Sequence, residues 1–91
     1  MLERDVKKSL KQYLTDIGAY QFWPVPTGFG ATTIDCLFCY KGKFYGVECK
    51  RPGVDKVTPR QQNIMALIRF ASGQTCVESD PELPTVRSML D

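Results

Sequence analysis

One group of residues has both the types and the spacing for chemistry: Asp35, then twelve intervening residues, then Glu48-Cys49-Lys50. Glu48 and Lys50 are two apart, so on a strand both side chains leave from one face. Asp35 is a lone carboxylate between Ile34 and Cys36 in an apolar stretch. A charge there is costly unless it is paired or bound to metal. Two carboxylates and the backbone carbonyl of Cys49, which lies between Glu48 and Lys50, make an all-oxygen donor set suited to Mg²⁺ or Mn²⁺. Such a metal polarises a phosphate and acidifies a bound water. An adjacent lysine orients that water and stabilises charge growing on the phosphate. The chemistry expected is hydrolysis of a phosphodiester. The plain alternative is that Glu48 and Lys50 are an ordinary solvated pair on a strand.

For these groups to meet, the chain must fold back on itself. Residues 34–40 and 44–50 read as two strands joined at Lys41-Gly42, a two-residue connection typical of a hairpin. Such a hairpin lays the start of the first strand, with Asp35, beside the end of the second, with Glu48 and Lys50. Both parities of the first strand are apolar, with Ile34, Cys36 and Phe38 on one face and Leu37 and Cys39 on the other. That pattern predicts a sheet covered on both sides. Leu2, Val6, Leu10, Tyr13, Leu14 and Ile17 repeat at helical spacing, so residues 2–17 are expected to be a helix that Gly18 stops. Residues 20–25 read as a short or edge strand, limited by Pro24 and Pro26. Residues 26–33 read as a loop with two glycines. Thr58 as N-cap with Pro59 at the first position opens a second helix. Ile64, Leu67, Ile68 and Ala71 are its expected buried stripe, and Gly73 its end. Residues 74–78 form a last strand. A terminal helical segment starts at Ser79-Asp80-Pro81 and runs to about Leu90. The expected fold is α/β in a single domain over residues 1–91: a mixed central sheet flanked by helices, ordered αβββαβ with a C-terminal helix.

At 91 residues the chain has room for one small core. Its composition, 43% hydrophobic and 24% charged, is that of an ordinary globular domain. No apolar run reaches the ~20 residues of a membrane span, and the charged first segment lacks a signal peptide's apolar centre. No membrane partner and a cytoplasmic location are therefore expected. The net charge is +2, but residues 78–91 carry −3 and residues 1–77 carry +5. A polyanionic partner is compatible with that balance. Cys36 and Cys39 have CxxC spacing, yet positions three apart on a strand face opposite ways and the chain contains no histidine. Buried free thiols are expected instead of a zinc site.

Asp35 and Glu48-Cys49-Lys50 resemble the two motif halves of the PD-(D/E)XK nuclease superfamily, and the element order is similar to its restriction-endonuclease-like core. Ile34 stands where the fuller motif has proline. Two further residues resemble the VRR-NUC branch: Glu3, near the start of the first helix, and Gln61, at the start of the helix after the lysine. The resemblance spans residues 3–78. It implies a Mg²⁺- or Mn²⁺-dependent endonuclease with Asp35, Glu48, Lys50, Glu3 and Gln61 in the catalytic group. Asp35, Glu48 and the Cys49 carbonyl would be metal ligands, and Glu3 a ligand through water. It further implies branched DNA as substrate, four-way (Holliday) junctions included, in a bacterial cell or phage-infected host. Paired cuts in a symmetric junction require two sites, hence a homodimer. Phe22, Trp23, Phe29, Val86, Met89 and Leu90 are apolar residues in excess of one small core and candidates for its surface. Candidate DNA contacts are Lys7, Lys11, Thr27, Gly28, Arg51, Lys56 and Arg60. The bland readings are that Glu3 pairs with Lys7 one turn on, and that Gln61 completes a capping box with Thr58. The rival function is a nucleic-acid-binding module of the same fold without catalysis.

Overall fold

The computed structural model describes residues 2–25, 33–54 and 56–91. Thr27, Gly28 and Phe29, which include two expected DNA contacts, lie outside them. The elements are α1 (Glu3–Asp16), β1 (Tyr20–Phe22), β2 (Cys36–Tyr40), β3 (Lys43–Cys49), α2 (Pro59–Phe70), β4 (Gln74–Glu78) and α3 (Pro84–Leu90). The protein is thus mixed α/β, with the expected order of elements. The sheet runs β1-β2-β3-β4, with antiparallel pairing except between β3 and β4, which are parallel. Among the described residues no helix is long and apolar enough to cross a membrane.

The β2–β3 hairpin turns on Lys41 and Gly42, both with positive φ, at 51° and 78°. This left-handed pair gives the turn a twist that matches the strands it joins. Its register sets Cys36 opposite Val47 and Phe38 opposite Tyr45. The Phe38 and Tyr45 rings stack with centroids 4.9 Å apart. Val6, Leu10 and Leu14 of α1 bury against Cys36, Phe38, Tyr45, Val47 and Cys49, and Leu83 and Val86 complete this core. α1 and α3 therefore cover one face of the sheet.

The opposite face alternates with that one and carries Gly46, Glu48 and Lys50. α2 packs there. A Cβ on Gly46 would lie 2.7 Å from Ile34 Cδ1 and 3.0 Å from Ile68 Cδ1, so the bare glycine lets α2 come close to the sheet. Ile34 sits on this face and not beside Cys36 and Phe38 as strand parity predicts. Residues 33–35 precede the strand, so the two-residue alternation has not yet begun there. The stripe of α2 is also rotated from its expected position. Met65 is buried, whereas Leu67 is 59% exposed and Ala71 is exposed. Helical spacing defines a stripe but not which edge of it meets the sheet.

The candidate dimer surface changes too. Val86 is in the core, and Trp23, Met89 and Leu90 pack against it. Phe22 is exposed. By register Tyr20, Phe22 and Phe44 share the α2 face of the sheet, but α2 lies over β3 and β4. Among the described residues no helix covers the β1–β2 half of that face, and Tyr20, Phe22 and Phe44 are exposed there.

Candidate active site

Asp35 and Glu48 meet where β2 begins and β3 ends. The hairpin register, continued one step beyond Cys36, puts Asp35 opposite Glu48. Each carboxylate accepts from a backbone N–H of the facing segment, Glu48 from Asp35 and Asp35 from Cys49, the residue after Glu48. The N–H of Asp35 donates to Glu48 Oε1 at 3.1 Å, and the N–H of Cys49 donates to Asp35 Oδ2 at 2.9 Å. These reciprocal bonds explain why a carboxylate is tolerated in so apolar a stretch. They also fix the two groups in place before anything binds. The Cys49 side chain points away into the core and is fully buried, as expected.

Lys50 and Gln61 join from the α2 side. Lys50 Nζ lies 3.4 Å from Glu48 Oε2 and 3.3 Å from Gln61 Oε1. Gln61 Nε2 donates to Glu48 Oε2 at 2.8 Å. The same Gln61 also caps its helix: its N–H donates to Thr58 Oγ1, and its Oε1 accepts from the Thr58 N–H. Gln61 thus completes the capping box and also bonds Glu48 and Lys50, because an amide offers both an acceptor and donors. The cap locks the side chain that touches Glu48, so α2 begins where the site needs it.

From the other side, α1 brings Glu3 and Lys7. Lys7 Nζ is 3.3 Å from Glu3 Oε2 and 3.6 Å from Asp35 Oδ1. The pairing of Glu3 with Lys7 one turn on is therefore present, and it links Glu3 to the site through Lys7. Burial lowers the Lys7 pKa, but the nearby Asp35 and Glu3 carboxylates outweigh it and the net value rises above 10.5. Lys11 sits one turn further along, with its ammonium over the Trp23 ring, 5.0 Å from the centroid. Arg51, Lys56 and Arg60 are exposed around the start of α2. In sequence Lys7 is a candidate DNA contact and the helical neighbour of Glu3; its seat on Asp35 comes from the docking of α1. The signal that ties it to the site was its i,i+4 spacing from Glu3.

Searches against family models, curated proteins and solved structures return no match for this chain. The site is therefore argued from its own geometry. Glu48 is 3% exposed. Burial, and then the charge of Asp35, push its pKa from the ordinary 4.5 up to about 7, against the opposing pull of the Asp35 N–H and Lys50. The folded site holds a proton more tightly than the unfolded chain does. The stabilisation from that proton is therefore complete below about pH 4.5 and is lost as pH rises through about 7. In metal-free protein, the stability advantage of wild type over Glu48→Gln should shrink across that window in denaturant titrations. A constant difference from pH 4.5 to 7.5 would show that Asp35 does not act on Glu48 in this way.

The cysteines differ from one another. Cys36 and Cys49 are buried, Cys76 is half-buried and Cys39 is exposed. The expectation of buried free thiols at Cys36 and Cys39 holds for Cys36 and fails at Cys39, which lies on the other face of β2. Burial, and then Asp35, push the Cys36 thiol up to about 12. Among the described residues no group of three or more His, Cys, Asp or Glu side chains converges as a metal cage. The oxygens that do converge are those of Asp35 and Glu48. In an extended strand the N–H and C=O of one residue leave on the same side. The Cys49 carbonyl thus faces the Asp35 edge, opposite the side on which the Lys50 N–H donates to the Glu78 carbonyl at 2.9 Å. Two carboxylates and one carbonyl fit a hard divalent cation that keeps several of its waters.

Proposed function

We propose that this protein is a metal-dependent DNA endonuclease on a restriction-endonuclease-like core of the VRR-NUC type, acting in the cytoplasm. One observation carries the proposal: Asp35, Glu48, Lys50 and Gln61 converge at one end of the β2–β3 hairpin, tied by mutual hydrogen bonds. Mg²⁺ or Mn²⁺ held by Asp35, Glu48 and the Cys49 carbonyl would supply an acidified water and a polarised phosphate. The chain's own groups do the rest. Lys50 presents an ammonium to the attacking oxygen and to charge gathering on the phosphate. Gln61 holds Glu48 and Lys50 in one geometry. Glu3 adds negative charge at the α1 side, where Lys7 links it to Asp35, and would serve a bound metal through water. Arg51, Lys56 and Arg60 offer cations to the flanking phosphates.

The uncovered aromatic half of the sheet supports a homodimer. Tyr20, Phe22 and Phe44 form an apolar face that a second copy would cover. Two sites related by two-fold symmetry would suit a branched, symmetric substrate. The test is incubation with Mg²⁺ or Mn²⁺ and a panel of linear, flapped and four-way DNAs, with cuts mapped strand by strand and mass measured by light scattering. Paired, symmetry-related cuts in four-way DNA by a dimer are expected. A monomer at micromolar concentration that nicks linear and branched DNA equally would remove the dimer and junction readings and keep the nuclease. Tight DNA binding with no cleavage in either metal would select the non-catalytic module.

A further inference from the structure

We infer that Lys7 is a tethered cation that competes with metal for Asp35, so that metal binding must displace an ammonium already seated on the carboxylate. The inference rests on the metal-site reading above. Both Asp35 oxygens are engaged: Oδ2 by the Cys49 N–H at 2.9 Å and Oδ1 by Lys7 Nζ at 3.6 Å. The same ammonium is 3.3 Å from Glu3 Oε2, so it bridges the Glu3 carboxylate on α1 to Asp35 at the head of β2. These side chains are part-buried, Lys7 at 36% and Asp35 at 24% exposed.

Charge sets the sign of the effect. Glu3, Asp35 and, once ionised, Glu48 bring up to three negative charges to this end of the sheet, and Lys7 and Lys50 bring two positive ones. Without Lys7, Asp35 and Glu48 repel each other with less compensation, so the metal-free fold is weaker. A divalent ion on Asp35 meets a positive charge within contact distance of its own ligand, and like charges so close repel strongly. The ammonium therefore stabilises the metal-free state selectively and opposes the metal-bound one. Lys50 pairs with Glu48 on the α2 side, where Gln61 also binds it, so Lys7 is the ammonium seated on Asp35. A role in which Lys7 merely orients Asp35 for the metal predicts the opposite sign.

The test is Mn²⁺ binding by titration calorimetry, without DNA, on wild type, Lys7→Met, Lys7→Gln, Lys7→Arg and Lys8→Met. Removing the bridging charge should tighten binding roughly three- to tenfold, the range expected for one or two part-exposed ion pairs. Lys7→Arg should stay near wild type. Lys8 is exposed on the same helix, and Lys8→Met removes the same net charge with an expected change under about twofold, since a solvated charge is largely screened. Melting in EDTA should show Lys7→Met below wild type, and added Mn²⁺ should raise its melting temperature by more. Unchanged or weaker Mn²⁺ binding by both neutral variants overturns the inference and leaves the nuclease reading intact. Equal tightening by Lys8→Met also overturns it, in favour of a general charge effect. No Mn²⁺ binding by any form, wild type included, removes the metal site itself and the inference with it.

Discussion

Replacing Lys50 or Asp35 by alanine should lower DNA cleavage by about a thousandfold or more, at the upper end of what loss of one preorganised charged group costs. Lys50 is the one ammonium bonded to both Glu48 and Gln61. Its loss removes the cation aimed at the reacting phosphate and leaves the neighbouring carboxylates in place. Asp35 is the partner carboxylate, and its loss halves the acidic donor set. Neither change should unfold the protein. Glu48 keeps its bonds from the Asp35 N–H and Gln61 in Lys50→Ala. In Asp35→Ala the loss of the acceptor for the Cys49 N–H is offset by relief of the charge pressing on Glu48. Circular dichroism checks the fold, anisotropy checks that DNA binding persists, and single-turnover cleavage reads the chemistry. Cleavage at the wild-type rate by both folded variants would end the active-site assignment.

The largest stability effect should come from a residue with no part in that chemistry. Glu78→Ala is expected to cost about 3 kcal/mol, from the loss of a buried charged acceptor and the stranding of its donors. Glu78 is 1% exposed. Its Oε1 accepts from the N–H groups of Thr85 at 3.0 Å and Val86 at 3.0 Å, in the first turn of α3. Its Oε2 accepts from Ser79 at 3.2 Å and Asp80 at 3.3 Å. One carboxylate thus takes up helix-start donors that no other side chain caps, since Leu83 at the N-cap makes no side-chain bond. It does so while the chain turns through Leu83, a buried non-glycine residue at φ 59°. Without Glu78 the turn loses its template and α3 its seat in the core. The melting temperature should fall by roughly 12–24 °C, given about 4–8 °C per kcal/mol for a domain of this size. Glu78→Gln keeps the shape and should lose about a third of that. Glu82→Ala, on an exposed neighbour, should change stability by under about 0.5 kcal/mol. A Glu78→Ala protein melting within a few degrees of wild type would show that the donors find other partners.

Those two sites mark what sequence could and could not determine. Local physics made the elements legible. The turn at Lys41-Gly42, the cap at Thr58-Pro59, the stripe of Val6, Leu10 and Leu14, and the last strand at residues 74–78 each depend on neighbours within one or two turns of chain. The pairing of Asp35 with Glu48 was legible for the same reason, because a two-residue hairpin leaves one register for the residues it joins. What only the tertiary structure decided are relations between distant elements that share no spacing rule. The bare Gly46 under Ile68, the rotation that buries Met65 and exposes Leu67, and the burial of Val86 follow from how closely α2 and α3 approach the sheet. Glu78 reads in sequence as one more charge in an acidic tail, and only the return of α3 onto β4 makes it a buried cap. Lys7 reads as a solvated face, and only the meeting of α1 with the head of β2 puts its ammonium on Asp35. Periodicity states which side chains share a face. The docking of one element on another decides what that face touches.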